Sequence, residues 1–298
     1  MSTCVRRTLY GSERNDETPN VILTCPHDGG PEAFLGDYPI ITRVCPADLG
    51  TLMRYLAVER DTGASALAHR IASLIANQTD HRAAVIEVLL PRGIVDGNRV
   101  TGCAIRNVFH HHAHSDLTAQ LRELHTQVLQ LASSYVSELE PNGILLDIHT
   151  MAPYTPFWDQ ESATMAVKET PDALSQYVDV WINPTHRHKR RMLDVVTRCD
   201  DDNILIADSV LRDACMRQLT NHDIAWREND PYFTSNHIVT TNFMRAHRAI
   251  ALDVPKDYLS ELNAEDDEFD PTALTIDNTK LSRIAQALAD AAIETLDA

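Results

Sequence analysis

Val21-Ile22-Leu23-Thr24-Cys25, which runs straight into Pro26-His27-Asp28-Gly29-Gly30, and Ile144-Leu145-Leu146-Asp147-Ile148-His149 are the two stretches that decide the fold. Each is a short, nearly continuous apolar run bounded by turn residues. Such runs read as strands covered on both faces, the pattern of a largely parallel sheet. Each run leads into a histidine, and ligands of open α/β sheets bind just beyond the carboxyl ends of the strands. Imidazoles placed there, with Asp28, Asp147 and other carboxylates near by, are the donor types of a mononuclear catalytic zinc site. Such a site keeps one position open for water. A pair of histidines hydrogen-bonded within loops is the competing reading.

Outward from these runs, strands alternate with helical patterns. Asp61-Thr62-Gly63 reads as a helix start, followed by Ala64, Leu67, Ala68, Ile71, Leu74 and Ile75 at amphipathic spacing. Residues Ala84 to Leu90 form a predicted strand closed by Pro91, and Ser115-Asp116 opens a long helix with Leu117, Leu121, Leu124 and Val128 on one face. Pro141-Asn142-Gly143 turns the chain into the strand that ends at His149. Val178-Asp179-Val180-Trp181-Ile182 and Ala249-Ile250-Ala251-Leu252-Asp253 are further strand candidates, and a final helix spans 278–297. The acidic run Glu265-Asp266-Asp267-Glu268 reads as a solvated loop. No low-complexity linker or internal repeat interrupts the alternation. It predicts one domain over residues 1–298, with its core at about 20–260. The expected fold is a three-layer α/β/α arrangement with a central, largely parallel mixed sheet and right-handed crossovers.

At 298 residues the chain can bury a large core, and 44% hydrophobic with 23% charged residues is ordinary for a soluble globular protein. The balance of 43 acidic against 26 basic residues gives a formal charge of −17. That argues against nucleic acid or an anionic membrane as partner, since both need basic patches. The six cysteines have no C-x-x-C spacing and read as reduced thiols, with Cys25 a small core residue rather than a nucleophile. The segment from Met1 to Glu17 is polar, without the apolar core of a signal peptide, and no apolar stretch is long enough to span a membrane. A cytoplasmic location is the expectation; the oligomeric state is not legible.

Several residues near the histidines carry candidate chemistry. In Asp96-Gly97-Asn98-Arg99, an arginine beside an asparagine suits a forked contact to a carboxylate, although on this segment alone a surface arginine is the better reading. Asp61 is either the cap of the helix it precedes or a third metal ligand, and Glu32, five residues after His27, competes for that role. Asp253 ends a strand, as a general base or as a turn residue before Val254-Pro255. Asp147 lies on the same side of an extended strand as His149 and can orient its ring. His110-His111-His112 and His114 read as a solvated loop, with a lid over a pocket as the alternative. His186, His188 and Lys189-Arg190-Arg191 read as an exposed helix start, with steering of an anionic substrate as the alternative.

Taken in order, Pro26-His27-Asp28-Gly29, Asp61-Thr62-Gly63-Ala64, Asp96-Gly97-Asn98-Arg99, Asp147-Ile148-His149-Thr150-Met151, Asp230-Pro231-Tyr232 and Asp253 with Tyr258 resemble the N-formylglutamate amidohydrolase family. That family is related to the zinc carboxypeptidases and aspartoacylases. The resemblance implies one zinc, or another divalent transition metal, held by His27, His149 and either Asp61 or Glu32. It also implies a small carboxylate-bearing substrate bound by Asn98, Arg99 and Tyr232, and hydrolysis of a linear amide such as that of N-formylglutamate. The family generally carries a glutamate as the acid near the end of the last strand, where this chain has Asp253, one methylene shorter. Asp28 also departs from the family, which more often has a small residue there.

Overall fold

Strands β2 (Val21–Cys25) and β4 (Ile144–Met151) lie side by side and parallel at the centre of the sheet, with Val21 opposite Ile144 and Thr24 opposite Asp147. The computed structural model describes residues 4–11, 18–155, 174–262 and 269–298. β3 (Ala83–Val88) runs parallel to β2 on its other side, and β9 (Arg248–Pro255) runs parallel to β4. Nearly every side chain of these strands is buried, which is why they read as apolar runs without alternation. β1 (Val5–Tyr10) closes one edge antiparallel to β3. At the other edge β5 (Leu193–Val196) pairs antiparallel with β9, and β8 (Trp226–Glu228) pairs parallel with β5. The seven strands follow the order β1-β3-β2-β4-β9-β5-β8. Short β6 (Arg198–Cys199) and β7 (Ile204–Leu205) form a separate ribbon.

Helices cover both faces, giving the expected three-layer α/β/α arrangement around a mostly parallel sheet. α4 (Ala64–Gln78) and α7 (Ser209–Asn221) both pack on α9 (Asn278–Leu296), whose Ala285, Ala287, Ala289, Ala291 and Ala292 are fully buried. Small side chains let those helices approach closely. α5 (Ser115–Val136) contacts β1 and β3, and α8 (Val239–Ala246) contacts β9 and β4. α1 (Pro31–Asp37), α2 (Ile40–Val44) and α3 (Leu49–Glu59) carry the chain from β2 towards α4.

Residues 178–182 are not a strand. They are the end of helix α6 (Leu174–Ile182), which packs on α3. Leu174, Tyr177, Val178 and Trp181 are its buried residues, at i, i+3, i+4 and i+7. The five-residue window shows only apparent alternation; four more residues reveal the helical period. Strand β1 escapes the sequence pattern because its run VRRTLY carries two arginines, and β5 and β8 because they are short and include charged residues. The acidic run 265–268 lies outside the described residues, as do parts of the N-terminal segment. The six cysteines are free thiols, and only Cys103 is exposed. Among the described residues no helix is long and apolar enough to cross a membrane.

The turn before α4 needs glycine. Gly63 has φ +98°, and a Cβ there would sit 3.1 Å from Ile276 Cδ1 and 3.3 Å from Leu259 Cδ1. Gly63→Ala should lower the unfolding free energy by about 1–2 kcal/mol. Gly36 is exposed in α1 with open space around it, so Gly36→Ala should raise stability by up to about 1 kcal/mol. Urea midpoints at unchanged slope measure both.

Candidate metal centre

β2 and β4 deliver His27 and His149 to the same end of the sheet, and their ring centroids are 4.9 Å apart. Each ring spends its Nε2 on a buried carboxylate. His27 Nε2 lies 2.7 Å from Asp96 Oδ1, and His149 Nε2 lies 2.9 Å from Asp147 Oδ2. A carboxylate acceptor fixes the proton on Nε2 and turns the lone pair of Nδ1 towards whatever stands opposite. Opposite both stands Asp61 Oδ2, at 3.4 Å from His27 Nδ1 and 3.0 Å from His149 Nδ1. Ligand atoms of His27, Asp61 and His149 all fall within 4.8 Å of one another. His27 Nδ1 is buried and has no hydrogen-bond partner. An orphaned imidazole nitrogen beside a carboxylate oxygen and a second imidazole suits a divalent metal with mixed nitrogen and oxygen ligands.

Asp61 is available because another residue does the capping. The N-cap of α4 is Gly63, and Asp28 Oδ2 accepts the Ser65 amide at 3.0 Å. Asp28 also accepts Arg60 Nε at 2.8 Å, while the Asp61 amide donates to the His27 carbonyl at 3.0 Å. Asp28 thus grips the chain on both sides of Asp61. Behind it Glu87, buried on β3, accepts Ser65 Oγ at 2.5 Å and both arms of the Arg6 guanidinium at 2.6 Å. Glu32, the competing candidate, does not join the cluster: it is exposed in the first turn of α1, where the chain has already left the site.

The electrostatics favour a cation at the cluster. Burial works against ionisation of Asp61, but the hydrogen bond from His149 and the adjacent His27 imidazole outweigh it and hold the carboxyl well below its usual range. Burial likewise opposes a charged His149, yet the neighbouring Asp147 and Asp61 raise its proton affinity well above normal. Asp253 sits directly opposite His149 in the β4–β9 register. Its Oδ1 is buried without a hydrogen-bond partner, and burial, then the charge of Asp61, pushes the carboxyl up to about 6.

Two cavities meet here. The larger, about 410 Å³, is lined by Arg92, Arg99, Arg106, Arg191 and Lys256 beside Asp61 and Glu59. Arg106 and Arg99 are anchored on Asp96, at 2.5 and 3.5 Å, and Arg92 reaches Asp61 Oδ1 at 3.3 Å. Lys256 is buried against the Val58 carbonyl at 3.2 Å, and burial lowers its ammonium to about 8. The smaller cavity, about 120 Å³, shares Arg92, Arg99, Thr150 and Tyr232 with the larger and adds His27, His149 and Asp253.

Not every predicted site residue takes its expected place. Arg99 and Tyr232 line both cavities. Asn98 lines the smaller one, but its Oδ1 is taken by the Thr240 amide and hydroxyl, both at 2.9 Å, so its oxygen pins the start of α8. Arg191 is the main residue the sequence reading misplaced. It is buried, stacked between Trp181 and Tyr232 at 5.5 and 5.3 Å, and donates to the Tyr232 hydroxyl at 3.1 Å. The available signal was its position next to the apolar start of β5. Of the histidine tract, His111 lines the larger cavity with Nε2 3.1 Å from the Arg106 carbonyl oxygen, while His110 and His112 are exposed.

The sequence matches no family model and no curated protein. Its fold is that of known structures. A gene product from Agrobacterium tumefaciens aligns with a TM-score of 0.57 at 16% identity, covering 98% of this chain and 94% of that one. An N-formylglutamate amidohydrolase from Ralstonia eutropha JMP134 aligns with a TM-score of 0.51 at 14% identity, covering 98% and 96%. At such identities the likeness is one of fold.

The geometry separates the two candidate third ligands. Asp61→Asn should reduce metal affinity by at least about 10-fold, whereas Glu32→Gln should leave it at the wild-type level. Titration with zinc against a competing chelator reads both, and circular dichroism checks that each variant is folded.

Proposed function

We propose that this chain is a zinc-dependent amidohydrolase that cleaves the linear amide of an N-acyl amino acid, with N-formylglutamate as the reference substrate. The observation that carries the reading is the convergence of His27 Nδ1, His149 Nδ1 and Asp61 Oδ2, with each imidazole backed by its own buried carboxylate. The fold shared with an N-formylglutamate amidohydrolase supports it. His27, His149 and Asp61 would hold the metal. When bound, zinc lowers the pKa of water towards about 7 and polarises a scissile carbonyl.

The remaining work falls to the protein. Asp96 and Asp147 hold the imidazoles in their ligating tautomer. Asp253 accepts a proton from the attacking water and passes it to the departing nitrogen as the C–N bond breaks and a C–O bond forms. Its raised proton affinity and partnerless oxygen suit that exchange. Arg92, common to both cavities, supplies positive charge where the carbonyl oxygen becomes negative. Arg99 receives the substrate carboxylate in the cationic cavity.

Asp253→Asn should keep the metal and lower turnover by about 10²- to 10⁴-fold. Loss of the metal instead would make Asp253 a ligand. Bound zinc with no turnover over a broad panel of N-acyl amino acids would favour a non-catalytic metal-binding protein, a reading motivated by aspartate standing at position 253.

Arg99→Ala tests the substrate class. It should cut kcat/KM for N-acyl amino acids by about 10- to 200-fold and matter far less for the corresponding amides and esters, which lack the carboxylate. Arg99→Lys should recover part of the loss, because an ammonium offers charge without the planar pair of donors. Equal losses on charged and neutral substrates would assign Arg99 to the fold or to the reacting centre.

A further inference from the structure

The two cavities at the cluster differ in chemistry. Beyond the Arg92 and Arg99 that both share, the larger adds Arg106, Arg191 and Lys256, beside Asp61 and Glu59. The smaller adds no lysine or arginine of its own; with Asn98, Thr234 and Thr240, the rest of its wall includes Val196, Phe233, Ile238, Ala251 and Leu252. Val196 and Ala251 face each other in the antiparallel register of β5 and β9, at 5% and 4% exposure. Two sheet residues held in register form a rigid floor. Ala251 lies two residues before Asp253, on the same face of β9. Phe233, 42% exposed, is the most open of these residues.

We propose that the smaller cavity is the acyl pocket, and that the substrate carries a short aliphatic acyl group of about two to five carbons rather than formyl. This rests on the amidohydrolase reading and concerns the same site. The division of the substrate follows from solvation. A carboxylate pressed against aliphatic walls loses its water without compensation, so the carboxylate-bearing amine half belongs in the cationic cavity. The neutral acyl half is left for the other.

Size then sets the acyl group. An apolar cavity of about 150 Å³ holds a benzene ring, and one water claims about 30 Å³. A formyl group is close to water in size and would leave most of the 120 Å³ without contacts. A butyryl or isovaleryl chain would fill it. The polarity gradient agrees: the carbonyl lies at the charged end, and the alkyl chain extends over Val196 and Ala251 towards Phe233.

The test is kcat/KM of the zinc-loaded full-length protein on glutamate carrying formyl, acetyl, propionyl, butyryl or octanoyl groups. The expected profile rises about 3- to 10-fold per methylene from formyl to butyryl and falls at octanoyl. Ala251→Leu should move the optimum to formyl or acetyl at unchanged zinc content. Val196→Ala should move it to longer chains. Phe233→Ala, at an exposed position, serves if a floor variant fails to fold, and should flatten the preference between butyryl and octanoyl. Formylglutamate as the best substrate, with no response to these changes, overturns the proposal and leaves the amidohydrolase reading standing. A shift in preference among amino-acid side chains at constant acyl group overturns it by assigning the cavity to the amine half. No hydrolysis of any member defeats the amidohydrolase reading itself, and the acyl pocket with it.

Discussion

The carboxyl end of the sheet depends on Asp96 remaining ionised although it is buried. Its exposure is 0%, and it is held charged against the cost of burial by His27, Arg106 and Arg92. An unpaired buried carboxylate would cost several kcal/mol, so its partners are fixed as firmly as the charge itself. It binds His27 Nε2 and the Asn98 amide, and it ion-pairs with Arg106 and Arg99. One carboxylate therefore sets the direction of an imidazole and the position of two cations lining the larger cavity. Asp147 does similar work on the other ring with help from the Thr24 and Thr240 hydroxyls. The histidines have little freedom because their carboxylates have none.

The charge of the whole chain and the charge of the site have opposite signs. The protein carries a formal −17, yet five cationic side chains line the larger cavity. Net charge governs solubility and long-range encounter, while a concave site with low-dielectric walls concentrates its own local field. Lys256 and Arg191 contribute from burial rather than from the surface. That is why the composition, dominated by acidic residues, gave no view of this cavity.

What was legible in the sequence follows from burial on two faces. β2 and β4 announce themselves because a doubly covered strand has no polar side, and their histidines stand out against that background. Asp61 was visible only as one of two choices, since the Asp28 carboxylate that frees it from capping is fixed by tertiary contact. Arg191 was read as surface because three basic residues in a row normally are. Its burial depends on Trp181 and Tyr232, ten residues before it and forty-one after. The two-cavity arrangement was not legible at all: its apolar floor pairs Val196 with Ala251 across strands that no local pattern connects.

The edge strand β1 is not independent of the site. Arg6 holds Glu87, Glu87 holds the Ser65 hydroxyl, and Ser65 lies four residues past Asp61 at the head of α4. Tyr10 adds a second tie through His69, whose other ring nitrogen lies 3.1 Å from Glu87. The strand β1 is thereby tied through side chains to the head of α4, next to the loop that carries Asp61. The edge of the sheet and the loop that carries Asp61 therefore share one buried carboxylate, Glu87, and a change at Arg6 would be felt at both.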